Sequence, residues 1–182
     1  MSTSRSFSVL VVSLSLLAVA ACSPTRTQKS AGEQIDDTVV TVKVKAALVD
    51  NPVTKARQID VEVFRGSVQL NGFVATAAEK SQATATARSV EGVRDVRNNL
   101  LVRAPDATTG QVVDDAVLTG KVKTALVGSP LTKAHQINVE TRGGVVQLSG
   151  FVDSAAAKSE AGRLAREVMG VRSVRNEIDV KT

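Results

Sequence analysis

The apolar positions of this chain follow two rhythms. Val40, Val44, Ala47 and Leu48 recur at i, i+4, i+7 and i+8, which is one face of a helix. Asp36 or Asp37 is placed to cap that helix, which runs to about Val49, and Asn51-Pro52 ends it because a residue before proline avoids helical angles. The rhythm then shortens. Ile59, Val61 and Val63 alternate with Asp60, Glu62 and Phe64, the pattern of a half-buried strand. Arg65-Gly66 supplies a tight turn, and Ser67 to Ala75 returns as a second strand with Val68 and Leu70 inward. Thr76-Ala77-Ala78-Glu79 has capping-box spacing and opens an alanine-rich helix to about Val90, which Gly92 stops. A third strand places Val96, Leu100 and Val102 on one side, with Asn98 inward and bonded to a neighbouring turn. The predicted order is helix, strand, strand, helix, strand.

The whole pattern then recurs. Shifted by 78 positions, Asp36–Arg103 meets Asp114–Lys181 without a gap, and about 40 of about 68 positions are identical. Gln69-Leu70-Asn71-Gly72-Phe73-Val74 returns as Gln147-Leu148-Ser149-Gly150-Phe151-Val152. The expected organisation is residues 1–21 as an export signal, 22–34 as a flexible tether, 35–103 and 114–182 as two copies of one α+β domain, and 104–113 as a linker. Domains this small bury a modest share of their surface, so docking of the copies stabilises both. Phe73 and Phe151 fall on the sheet face away from Leu70. Either a bulge at the preceding glycine re-aims them or that face is covered.

The leading segment has its own pattern. Arg5 precedes an apolar and small-residue run from Phe7 to Ala21, too short to span a bilayer as a mature helix. Val19-Ala20-Ala21-Cys22 resembles a bacterial lipobox, which makes Cys22 the acylated first mature residue. Val19 stands where leucine is commoner. Ser23 in place of aspartate implies, by the same resemblance, the outer membrane. The dozen polar and small residues that follow give a reach of roughly 20 Å.

Composition narrows the chemistry. Trp and Tyr are absent and there are four Phe, so the cores are built from Val, Leu, Ile and Ala. The formal net charge is +5, yet each repeat holds about ten basic and about eight acidic residues, a mixed surface and not a nucleic-acid stripe. The single cysteine leaves no internal disulfide. No His, Cys and carboxylate set has metal spacing, His135 replaces Arg57 of the other copy, and the glycines lack the context of a phosphate cradle. No cofactor, no metal and no catalytic centre are expected.

Val68-Gln-Leu-Asn-Gly72 and Gly92-Val-x-x-Val-x-Asn98, with Val146-Gln-Leu-Ser-Gly150 and Gly170-Val-x-x-Val-x-Asn176, resemble the BON domain. The resemblance covers both repeats. It implies in each a three-stranded mixed sheet with two helices on one face. It also implies a role in envelope integrity and stress, with binding of anionic phospholipid through the second domain; envelope proteins are the other candidate partners.

Differences between the copies single out binding residues. On the first helix Ile35, Val39, Val42, Ala46 and Val49 form a second apolar stripe away from the core face, which predicts that this helix docks against the other domain. Val42→Asp is then expected to separate the domains. The matching helix of the second repeat has a weaker stripe flanked by Lys121 and Lys123. With Val127 and Leu131 these lysines are the candidate contacts to anionic headgroups. The competing reading is an adaptor tethered in the periplasm, with lipid contact incidental.

Overall fold

The computed structural model describes residues 31–54, 59–103 and 109–181. The first domain consists of α1 (Ala31–Asp50), β1 (Ile59–Phe64), β2 (Ser67–Val74), α2 (Ala77–Arg88), β3 (Asp95–Asn98) and β4 (Leu101–Val102). The second repeats it as α3 (Thr109–Val127), β5 (Ile137–Arg142), β6 (Val145–Val152), α4 (Ala155–Glu167), β7 (Ser173–Asn176) and β8 (Asp179–Val180), with a 3-10 turn at Ala134–Gln136. In each sheet the middle strand pairs antiparallel with the hairpin partner before it and parallel with the last two short strands.

Those last two strands are one expected strand, broken by an asparagine. The Asn98 amide donates to the Lys80 carbonyl of α2 at 2.7 Å, and the Leu100 N–H donates to Asn98 Oδ1 at 3.0 Å. Asn176 donates to the Lys158 carbonyl of α4 at 2.8 Å in the same way. The partner is a helix and not a turn. The inward alternation of Val96, Asn98 and Leu100 runs through the break and ends there, since Val102, expected on the same side, is exposed.

The first helix of each domain begins earlier than its aspartate pair, at Ala31 and Thr109, inside the segments expected to be tether and linker. Asp37 and Asp115 are therefore not caps. Each is buried and turns both carboxylate oxygens onto the hairpin turn. Asp37 accepts from the N–H groups of Arg65 (2.7 Å) and Gly66 (2.9 Å), and Asp115 from those of Gly143 (2.6 Å) and Gly144 (2.9 Å). These turns hold two consecutive residues at positive φ, Arg65 at 51° and Gly66 at 76°, Gly143 at 58° and Gly144 at 74°. The exposed amides of that conformation need an acceptor, and the carboxylate supplies it. At α2 the Thr76 cap forms, its Oγ1 accepting from Glu79 N–H at 3.1 Å, while the Glu79 carboxylate reaches back one residue further than a capping box requires and accepts from Ala75 N–H at 2.8 Å.

Val44, Leu48, Val61, Val68, Leu70 and Leu100 form the first core, and Val122, Leu126, Val139, Val146, Leu148 and Ile178 the second. Ala83 and Ala87, with Ala161 and Ala165, let the second helices lie close on their sheets. Each fully buried aliphatic side chain contributes about 1.5–3 kcal/mol.

The two domains meet through the faces of their sheets that carry no helix. Gln69 and Gln147 occupy the same position in the two repeats and reach across reciprocally. Gly150 N–H donates to Gln69 Oε1 at 3.0 Å, and Gly72 N–H donates to Gln147 Oε1 at 2.6 Å. Gln147 Nε2 also donates to the Asn99 carbonyl at 2.8 Å, and Gln69 Nε2 to Asp179 at 2.5 Å. The glycines are required there: Gly150 has φ 113°, and a Cβ on it would lie 2.2 Å from the Gln136 carbonyl oxygen. Asp60 and Asn138, another equivalent pair, bond to each other, which places a pseudo-two-fold axis between β1 and β5. Phe64 stacks on Phe151 with ring centroids 5.3 Å apart, and Arg97 pairs with Asp179. Phe73 and Phe151 thus face a sheet surface covered by the other domain.

This corrects the expectation for α1. Val39, Val42, Ala46 and Val49 do not lie between the domains; all four are exposed, Val42 by 62%. Both helices of each domain cover one sheet face, so the opposite face is the one left for the sister domain. The side chain of Ile35 lies outside the described residues.

Candidate functional site

The candidate headgroup contacts all belong to the outer surface of the second domain. Leu118, Val122 and Leu126 seat α3 on its sheet. That leaves Lys121, Lys123 and Val127 on the solvent side, with Val127 73% exposed. The Ser129-Pro130-Leu131 turn follows. It is held by Thr132, fully buried, whose hydroxyl donates to the Leu126 carbonyl at 2.5 Å. With Thr132 anchored inward, Leu131 is pushed outward and is 58% exposed. Thr54 makes the same bond to the Leu48 carbonyl in the first domain. α3 and its turn therefore expose Val127 and Leu131 at the end of the helix, with Lys121 and Lys123 exposed on its two flanks.

The two lysines differ in their surroundings. Among the described residues Lys121 has no carboxylate within ion-pair distance, whereas the charge of Lys123 acts on Glu140. Glu140 sits beside Asp60 across the domain interface. Burial, then a hydrogen bond with Asp60, then the charge of Asp60 push its carboxyl up to about 8, with Lys123 opposing. A groove of about 680 Å³ opens between the domains near Phe64 and Phe151. Asp153 at its edge accepts from Lys133 (2.7 Å) and Lys181 (2.8 Å), and those bonds hold its carboxyl down at about 2. Lys181 also lies 5.8 Å from the centre of the Phe64 ring. His135 is exposed at the rim of this groove.

Cys22, the export signal and most of the tether lie outside the described residues. Among the described residues no helix is long and apolar enough to cross a membrane. What sequence reasoning missed is the domain interface. Its signal was present, since a glutamine at the same polar-side strand position in both copies, three residues before a glycine, is hard to explain on a solvated face.

Two sheets, each covered by two helices on one face and by its twin on the other, define a tandem α+β module. The BON domain family matches residues 36–104 and 114–182, so the chain belongs to the BON-domain family. It is 40% identical over 153 residues to Osmotically-inducible protein Y of Escherichia coli, covering 82% of this chain and 75% of that one. It is 34% identical over 147 residues to Outer membrane lipoprotein DolP of Haemophilus influenzae, covering 80% and 75%. It is 31% identical over 147 residues to the 21 kDa hemolysin of Actinobacillus pleuropneumoniae, again covering 80% and 75%. None of the three names states a catalytic activity.

Proposed function

We propose that this chain is a non-enzymatic envelope lipoprotein, held at the periplasmic side of the outer membrane by acylated Cys22, that contacts anionic phospholipid through α3 and supports envelope integrity under stress. The observation that carries the reading is that Lys121, Lys123 and Val127 of α3, and Leu131 of the turn after it, are all exposed. Likeness to an outer membrane lipoprotein and to an osmotically inducible protein supports the location and the stress role. A lysine near an anionic surface contributes about 1 kcal/mol, so two lysines assist an acyl anchor and do not replace it. The test is flotation of the Cys22→Ser chain with vesicles containing phosphatidylglycerol or phosphatidylcholine alone. Selective flotation with the anionic vesicles is expected, with affinity reduced about thirtyfold by Lys121→Gln with Lys123→Gln. Equal flotation with both vesicle types, or none, refutes the reading.

A second reading rests on α1. Its exposed Val42 and Val49 form an apolar stripe that suits a protein partner, making the chain a periplasmic adaptor. A partner retained by the Cys22→Ser chain, lost with Val42→Asp and Val49→Asp, in the absence of any vesicle binding, would favour it.

A further inference from the structure

Each domain carries a cleft bounded by its first helix, its hairpin turn and the glycine turn after its second helix. The clefts are equivalent under the 78-residue repeat, with volumes of about 480 Å³ in the first domain and about 340 Å³ in the second. Both outer helices are exposed, so burial does not decide which of them meets a ligand. The cleft rims do differ. In the first domain Lys43 is paired with Glu91 at 3.3 Å, across the mouth of the cleft. In the second the lysine persists as Lys121, but the glutamate has become Met169, whose side chain is 87% exposed.

We propose that the second-domain cleft, rimmed by Val117, Lys121, Met169 and Arg172, takes the anionic headgroup of a membrane lipid, with Met169 entering the acyl region, and that Glu91 closes the first-domain copy to the same ligand. The inference rests on the phospholipid reading above and names the determinant within it. Asp115 lies in the cleft but spends both oxygens on the amides of Gly143 and Gly144. Asp114 is exposed on the helix shoulder and is matched by Asp36, so it does not distinguish the copies. Arg172 crosses Gly144 with its stem and leaves its guanidinium exposed, as Arg94 does at Gly66. Arg65, which lines the first-domain cleft and also lies over the Phe64 ring at 5.3 Å, is Gly143 in the second, so that copy lacks one cation. The change from Glu91 to Met169, made together with that from Arg65 to Gly143, leaves the formal charge of the lining unaltered, but it gives Lys121 no counterpart of the Lys43–Glu91 pair and adds an exposed apolar group. That combination suits a surface with an anionic layer over hydrocarbon.

The chain has two methionines, Met1 and Met169, so methyl-labelled methionine gives a nearly single reporter at the cleft. The Cys22→Ser full chain carrying this label is titrated with phosphatidylglycerol micelles and with phosphatidylcholine micelles. The Met169 methyl signal is expected to shift with the first and not the second. Met169→Glu is expected to weaken binding to phosphatidylglycerol vesicles about tenfold. Glu91→Met is expected to strengthen it by adding a second cleft. Both positions are exposed, and unchanged melting temperatures check that the variants fold. If the chain binds anionic vesicles while the Met169 signal stays still and Met169→Glu binds as before, the cleft proposal fails and the phospholipid reading survives. If Met169 shifts equally with phosphatidylcholine, the headgroup assignment fails. If the chain binds neither vesicle, both fall.

Discussion

Replacing Gln147 by alanine should open the contact between the domains while leaving each domain folded. Gln147 is about 1% exposed and bridges two groups of the first domain, receiving from Gly72 N–H at 2.6 Å and donating to the Asn99 carbonyl at 2.8 Å. Removing the amide leaves both without a partner. A buried polar group left unsatisfied costs about 1–3 kcal/mol, so the pair costs about 2–6 kcal/mol, nearer the lower end if water enters. Native proteins have total stabilities of about 5–15 kcal/mol, so a loss of this size is readily measured. Urea denaturation read by circular dichroism measures the shift in midpoint, and small-angle scattering measures the dimensions. An earlier midpoint and an expanded profile are expected. Gln69→Ala should behave alike, because Gln69 makes the reciprocal bond to Gly150. The double variant should cost less than the sum, since either substitution alone already opens the same contact. An unchanged midpoint with unchanged dimensions for Gln147→Ala would refute the idea that these glutamines hold the domains together.

Three further outcomes follow from individual residues. Asp115→Ala strands the amides of Gly143 and Gly144 and should lower the stability of the second domain by about 3 kcal/mol, seen as an earlier thermal transition. Glu140, whose carboxyl is pushed up to about 8 by burial and by Asp60, holds its proton in the folded chain between its ordinary value near 4.5 and about 8, where the unfolded chain has lost it. The fold is therefore expected to lose stability as pH rises through that window, and Glu140→Gln should flatten the profile of urea midpoint against pH between 5 and 9. Val42→Asp should leave scattering dimensions unchanged and stability within about 0.5 kcal/mol, because Val42 is exposed and contacts no sister domain.

The elements themselves were legible because each face carries a clear period. Val40, Val44 and Leu48 repeat at helical spacing, Ile59, Val61 and Val63 at strand spacing, and all are buried in the structure. Duplication strengthened the reading, since a position apolar in both copies is a core position. The helix starts were misread because Asp37 and Asp115 look like caps from sequence alone, whereas their oxygens serve a turn 28 and 29 residues away. Nothing local encodes so distant a partner. The interface was misread for a related reason. An apolar stripe such as Val39, Val42 and Val49 suggests burial, while a strand face of Gln69, Asn71 and Phe73 leaves open whether anything covers it. The glutamines are buried because their amides find the backbone of a sister domain, and only the fold reveals that complementarity. The exposure of Lys121, Lys123, Val127 and Leu131 was legible from the helical period, whereas the difference between Glu91 and Met169 acquires a place in the fold only when the two clefts are compared.

The claim on which the functional reading depends is that the second domain, through α3, is the part that meets the bilayer. Spin labels at Val127→Cys and at Val49→Cys, each in the Cys22→Ser chain, sample equivalent exposed positions on α3 and α1. Power saturation on phosphatidylglycerol vesicles compares access to oxygen, which concentrates in lipid, with access to a water-soluble nickel chelate. The label at 127 is expected to gain oxygen access and lose nickel access on vesicle addition, while the label at 49 stays in water. Equal burial of both labels, or burial of position 49 alone, would contradict it.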